Sequence, residues 1–225
     1  MARRKGPQVE TDTVVVIGLG RFGAQVANSL VRLGHEVLAI DDDLRAVERW
    51  SQELTHVVQA DATNQQTLRQ LGVADFQRAV VAIGTAIEAS VLTVLALSEI
   101  GLPQIWGRAT SEQHAKILSA VGAHHVIFPE AAIAERIAHL MVSQILDFVE
   151  VGRDFAVATT PVPPPLHGRR LREISPRERY GVAVLAMKLP DGRVVPVDPE
   201  TRIEEGCVLL VEGSISQVQG FATLD

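Results

Sequence analysis

The chain has 225 residues, 47% of them hydrophobic and 21% charged, which is enough to fill one large domain or a medium one beside a small one. A net charge of −6 argues against a nucleic-acid partner, which would need a basic face, and the single cysteine, Cys207, excludes an internal disulfide and fits a reducing compartment. With no secretory pattern and no uncharged apolar run of spanning length, the expectation is a soluble cytoplasmic protein whose Arg3-Arg4-Lys5 opening is a solvated tail.

Val14, Val15, Val16 and Ile17 form a β-branched run that predicts a fully buried strand. It breaks into Gly18-Leu19-Gly20-Arg21-Phe22-Gly23, after which Ala24, Val26, Ala27, Leu30 and Val31 keep helical spacing. Strand, GxGxxG and helix in that order are the fingerprint of a phosphate-binding turn. Gly18 makes the tight turn, Gly20 lets backbone approach a pyrophosphate, and Gly23 lets helix pack close to strand. The helix N-terminus adds free N–H groups and partial positive charge. Arg21 places a cation inside the turn, where a triphosphate offers it more charge than a diphosphate.

Residues 35–40 predict a second strand that runs into Asp41, where the fingerprint wants an acid for the adenosine ribose hydroxyls. Asp42 and Asp43 follow, and three acids repel a 2′-phosphate, so the site is expected to take an unphosphorylated ribose, as in NAD, ATP, ADP or AMP. Asp43 also reads as the N-cap of a helix over residues 44–50.

A short strand over 57–60 ends at Asp61-Ala62-Thr63, and Thr63 with Gln66 has capping-box spacing for a helix over 64–71. Residues 79–83 predict a fourth strand that ends in Gly84-Thr85, and a long helix over 87–100 closes at Gly101. The fifth strand covers 104–108, and Thr110 with Gln113 has capping-box spacing before a helix over 111–121. A sixth strand over 125–128 meets Pro129-Glu130, which opens an amphipathic helix to about Phe148. Glu130 at that helix start is favourable with the macrodipole in its own right.

Strands alternating with helices in this way predict a doubly wound parallel sheet of the α/β class, with its ligand crevice at the carboxyl ends of the strands. Those ends are residues 18–23, Asp41, Asp61-Ala62, Ile83-Gly84-Thr85 and Arg108-Ala109-Thr110. The last helix carries Ile133, Ile137, Leu140, Met141, Ile145, Leu146 and Phe148, more apolar surface than one face of a small sheet needs. It either covers the sheet or crosses to a second subunit, and the second reading is our hypothesis.

The pattern changes near Val151. Residues 157–162 are extended, Pro163-Pro164-Pro165 is stiff, and β-rich runs cover 181–188 and 207–212 with a Pro190-Asp191-Gly192 turn before 193–197. Cys207 falls in one of these runs as a buried small hydrophobe. The expectation is a nucleotide-binding domain over 1–148 followed by a small α+β domain over 149–225, whose modest core leans on a partner copy.

Together, VVVIGLGRFG from Val14, GHEVLAID from Gly34, VVQADAT from Val57, VVAIG from Val80, IWGRAT from Ile105 and HHVIFPE from His124 resemble the regulator-of-potassium-conductance (RCK) family, the Trk/Ktr potassium-uptake regulatory subunits. The resemblance runs nearly end to end and includes the strand-rich EEGCVLLVEG from Glu204. It implies a Rossmann-type lobe followed by an RCK C-terminal lobe, and regulation rather than catalysis. Members form homodimers that assemble into an octameric ring on the cytoplasmic face of a potassium-translocating membrane subunit. ATP and ADP favour different ring shapes, and some relatives bind NAD(H) in the same crevice.

By position, the resemblance assigns nucleotide contacts to Gly18, Leu19, Gly20, Arg21, Phe22 and Gly23, with Arg21 at the terminal phosphate. Asp41, flanked by Asp42 and Asp43, would hold the ribose. Asp61 and Ala62 would flank the adenine, although Asp61 departs from the asparagine of some relatives. Ile83, Gly84 and Thr85 would line the floor, and Arg108, Ala109, Thr110 and His114 would border the phosphates. Glu130 matches the family acid that helps hold Mg2+ or another divalent cation at the γ-phosphate. Some members also bind a second messenger, cyclic di-AMP, at the C-terminal lobe.

An NAD(H)-dependent oxidoreductase is the main alternative. It would need a substrate domain and a proton-transfer residue, yet Tyr180 has Val184 rather than a lysine four residues on, and no cysteine–histidine cluster has metal spacing. An NAD-responsive repressor is a further alternative, but it would need a helix-turn-helix and a basic face.

Overall fold

Six parallel strands build the first sheet: β1 (Thr13–Ile17), β2 (Glu36–Asp41), β3 (His56–Gln59), β4 (Arg78–Val81), β5 (Gln104–Arg108) and β6 (His125–Ile127). Their spatial order is β3-β2-β1-β4-β5-β6, with every neighbouring pair parallel. Helices α1 (Arg21–Arg32), α2 (Leu44–Trp50), α3 (Gln65–Gln70), α4 (Ile87–Glu99) and α5 (Glu112–Ala120) make the crossovers. The computed structural model describes residues 12–142, 144–152 and 154–225, so the Arg3-Arg4-Lys5 opening lies outside the described residues.

The pleat sorts the core. Val14, Val16, Val37 and Ala39 face α1 and α2, packing with Ala27, Leu30, Leu54 and Trp50. Val15, Ile17, Leu38 and Ile40 face the other way, onto Leu68 of α3, Val94 and Leu97 of α4, and Leu118 of α5. The sheet is therefore covered on both faces, as its unbroken apolar strands require. The strand order reverses between β1 and β4, which pair from Val14 with Arg78 to Ile17 with Val81. A doubly wound sheet binds ligands at that reversal.

Two of the expected caps sit one residue later. Asn64, rather than Thr63, caps α3 by accepting from the N–H groups of Gln66 and Thr67. Ser111, rather than Thr110, caps α5 by accepting from His114 N–H. In each case the residue next to the expected one has the extended N-cap backbone and turns its side-chain oxygen onto the first-turn N–H groups. The expected cap at Asp43 is present, accepting from Arg45 N–H.

The chain parts into two compact units after Pro129. The second begins with α6 (Pro129–Val142), which stops short of the expected end at Phe148. Residues 147–150 instead form strand β7 (Asp147–Glu150), antiparallel to β8 (Phe155–Pro161). Ladder pairing with β8, from Asp147 opposite Thr159 to Glu150 opposite Ala156, takes these residues into the second sheet instead of the helix. The sheet continues through β9 (Ala183–Lys188), β10 (Val194–Pro196) and β11 (Val208–Ser214), in the order β10-β9-β11-β8-β7. Short helices α7 (Leu171–Ile174) and α8 (Pro176–Tyr180) precede β9, and α9 (Ile215–Ala222) closes the chain. Val218, Phe221 and Ala222 of α9 pack with Ala158, Leu209 and Val211, and Cys207 is buried in the same cluster. Among the described residues, no helix is long and apolar enough to cross a membrane.

Candidate functional site

The turn between β1 and α1 is held at the sheet's reversal point by backbone. Gly18 N–H donates to Ile40 C=O at 2.8 Å and Ala82 N–H to Ile17 C=O at 2.7 Å. Gly18 has φ +93°, the left-handed region that glycine enters without strain. At Gly23 a Cβ would lie 1.8 Å from Gly18 O and 2.8 Å from Ala82 Cβ, so only glycine allows α1 this close to the strands.

Gly20 is different. It has φ −63° and ψ −177°, ordinary extended backbone, and a Cβ there would meet nothing within 4 Å. The protein's own packing does not demand glycine at that position, whereas a phosphate brought against the backbone would. Gly20 is also the N-cap of α1, which has neither a side-chain cap nor an acid in its first turn. By contrast, α2, α3 and α5 are capped by Asp43, Asn64 and Ser111. The α1 terminus thus offers uncapped N–H groups and dipole to an anion, with exposed Arg21 as its first residue.

Asp41 ends β2 beside this turn. Its Oδ2 accepts from Leu19 N–H at 2.5 Å and its Oδ1 from Asp43 N–H at 2.9 Å. The Leu19 side chain is 3% exposed and packed in the core, so within the turn this residue contributes structure more than surface. Asp42 is exposed, and its carbonyl accepts from Gln59 Nε2. Hydrogen bonds from the Arg45 side chain and N–H hold the Asp43 carboxyl below the usual carboxylate range.

At the end of β3, Asp61 Oδ1 accepts from Thr63 Oγ1 at 2.6 Å and from Thr63 N–H at 2.9 Å, which keeps the Asp61 carboxyl below its ordinary range. Ala62 beside it is buried. After β4, Ile83 and Gly84 are half-buried and Thr85 is exposed. A Cβ on Gly84 would lie 2.2 Å from Arg108 Nη1, so the guanidinium of Arg108 rests against this glycine. The same guanidinium carbon lies 5.9 Å from the centre of the Phe22 ring, within cation–π range. Arg108, Gly84 and Phe22 thus bring together the ends of β5 and β4 and the start of α1.

Ala109 is buried and Thr110 exposed. His114, expected at the border of the phosphates, is only 1% exposed. Its Nδ1 lies 3.4 Å from both the N–H and the hydroxyl of Thr110, and burial pulls its pKa below the usual histidine value. His114 therefore supports the Thr110 loop from behind. Glu130 heads α6 in the second unit, and among the described residues no cluster of three or more His, Cys, Asp or Glu side chains could hold a metal.

The carboxylate contacts of Asp41 with Leu19 and Asp43, the Thr63–Asp61 bond and the Arg108–Gly84 contact were not legible in the sequence. Each depends on three-dimensional placement of ordinary residue types. The only sequence signal was an acid followed two residues later by another donor, the Asx-turn spacing seen in Asp41–Asp43 and Asp61–Thr63.

Comparison with known proteins follows the same division. The TrkA-N domain family model matches residues 14–129, and the TrkA-C domain family model matches 155–224. The chain is 36% identical over 209 residues to Ktr system potassium uptake protein C of Bacillus subtilis (strain 168), covering 92% of this chain and 94% of that one. It is 32% identical over 215 residues to Ktr system potassium uptake protein A of the same organism, covering 95% and 97%. The GsuK RCK domain superimposes with a TM-score of 0.65 at 18% identity, covering 96% of this chain and 49% of that one. The GsuK channel bound to NAD gives 0.64 at 18% identity, covering 97% of this chain and 40% of that one. These two likenesses concern the fold, and this chain spans about half or less of each. The Ktr relatives are matched at almost full length, and on that basis the chain belongs to the TrkA-N/TrkA-C family as an RCK-type regulatory subunit of the Ktr kind, a regulator rather than an enzyme.

Proposed function

We propose that this chain is the cytoplasmic, nucleotide-binding gating subunit of a potassium uptake system, with ATP and ADP stabilising different conformations of its assembly. The observation that carries the reading is the uncapped α1 N-terminus at Gly20, open to close approach and flanked by Arg21. Around it stand the ribose acid Asp41, the Asp61-Ala62 edge, and the Ile83-Gly84-Thr85 and Arg108–Thr110 loops. A nucleoside with phosphates fits this set: carboxylate for hydroxyls, backbone N–H groups for phosphates, and a guanidinium for the outermost charge. An AMP-type half is common to ATP, ADP and NAD(H), so the same residues serve each.

The Ktr relatives carry potassium uptake in their names, which supports a potassium-translocating membrane subunit as partner and a peripheral place at the inner face of the membrane. Exposed Ile133, Ile137 and Met141 along α6 support a homodimer, the unit from which an octameric ring would be built. Glu130 keeps the divalent-cation role that the family resemblance gives it, with nucleotide phosphates and water supplying the remaining ligands.

The mechanism is a population shift. A ligand moves a conformational equilibrium only by its difference in affinity for the two states. ATP and ADP differ in one phosphate, and Arg21 is the exposed cation of the turn. Arg21→Ala is expected to weaken ATP more than ADP and bring the two dissociation constants together, removing about 1.5–3 kcal/mol of charge-assisted bonding to the terminal phosphate. Calorimetric titration of wild type and variant with each nucleotide checks this. Full retention of the ATP/ADP ratio in Arg21→Ala would place the switch elsewhere.

A further inference from the structure

Asp41 has more hydrogen-bonding to do than a ribose requires. Before any ligand is considered, one carboxylate ties together three pieces of the crevice. Oδ2 takes the N–H of Leu19 in the glycine turn at 2.5 Å, and Oδ1 takes the N–H of Asp43 at 2.9 Å. Asp43 in turn caps α2. Leu19 is held at its other end as well, its side chain packed with Val14, Val16, Val37 and Ala39. The residue after it, Gly20, is the N-cap whose backbone is open to a phosphate.

We propose that Asp41 is a positioning residue for the phosphate-binding turn, in addition to any contact with ribose hydroxyls, and so couples recognition of the sugar to recognition of the phosphates. This rests on the nucleotide reading given above. The chemistry allows both roles at once, because an ionised carboxylate has about four acceptor sites and two are taken by N–H groups. Without the Leu19 bond, the turn keeps its Gly18 anchor to Ile40 but loses the one hydrogen bond from its interior to β2. Asp41→Asn separates the roles. A carboxamide can still bond ribose hydroxyls, but it has one oxygen for two N–H donors, so its NH2 must face Leu19 or Asp43 donor to donor.

The test uses the full chain, titrated calorimetrically with ATP and with 2′,3′-dideoxy-ATP, as wild type and as Asp41→Asn. Amide hydrogen exchange over residues 18–23 is measured without nucleotide. The expected result is that Asp41→Asn weakens dideoxy-ATP by about tenfold, a loss that no ribose contact could explain, and that the Leu19 amide exchanges faster. Equal binding of dideoxy-ATP by wild type and variant, with unchanged exchange at Leu19, would overturn the proposal. If Asp41→Asn does not fold, Asp41→Glu carries the same comparison, since its longer arm keeps the charge and moves both oxygens away from the two N–H groups. If wild type binds neither nucleotide, the nucleotide reading fails, and exchange at Leu19 alone decides whether Asp41 holds the turn.

Discussion

Gly23→Ala is expected to destabilise the first unit by about 3 kcal/mol or more, lowering its melting temperature by roughly 10 °C or more, while Gly20→Ala leaves stability within about 1 kcal/mol of wild type. The two glycines belong to one motif, but different neighbours demand them. A methyl at position 23 would lie 1.8 Å from the backbone oxygen of Gly18, which cannot turn aside as a side-chain tip could. Relieving that overlap means pulling α1 off β1 and β4, along with the buried Ala24 and Ala27. A methyl at position 20 meets no protein atom, and the backbone there suits any residue. The small loss from a poorer N-cap is offset by the smaller entropy of the unfolded chain. Nucleotide affinity should behave in the opposite way: Gly20→Ala puts a methyl where phosphate oxygens approach the backbone and is expected to weaken ATP and ADP at least tenfold. Thermal unfolding and calorimetric titration of both variants separate the two roles. A Gly20→Ala protein that bound nucleotide as wild type does would remove the phosphate from this turn.

The second large effect concerns assembly. Ile133, Ile137 and Met141 stand at i, i+4 and i+8 on α6 and are 59%, 49% and 80% exposed. Leu140 of the same helix packs into the second unit's core, so the helix is apolar on more than one side. If the exposed stripe is where two copies meet, a symmetric contact buries each side chain twice. Replacing both isoleucines, Ile133→Glu with Ile137→Glu, would remove four buried side chains per dimer at about 1.5–3 kcal/mol each and place carboxylates in the seam. The expected outcome by light scattering is a monomer at micromolar concentration with unchanged helix content. A variant that stayed dimeric would move the interface to another surface.

Much of the first unit was legible because its signals are local and redundant. Val14–Ile17 is too apolar and too β-branched to be anything but a covered strand, and the glycines that follow fix both the turn and the helix start. The place of Asp41 at the end of β2 was legible too. What escaped were choices settled by neighbours. Ile145 and Phe148 keep the i, i+3 spacing of a helix, and pairing of residues 147–150 with β8 nevertheless decides for the strand. Thr63 and Thr110 have capping-box spacing, but the adjacent Asn64 and Ser111 take the caps, leaving Thr63 to Asp61 and Thr110 to His114. The burial of His114 follows from its place four residues before Leu118 and seven before Val121, on the helix face that packs into the core.

The claim on which the rest depends is that the β1–α1 turn holds the phosphates of an adenine nucleotide. Calorimetric titration of the full chain with ATP, ADP, NAD and NADH, with and without magnesium, tests it most directly. The expected result is saturable binding of at least ATP and ADP, with unequal affinities, that Gly20→Ala weakens without loss of fold. No binding of any of the four, or binding that Gly20→Ala leaves untouched, would contradict it.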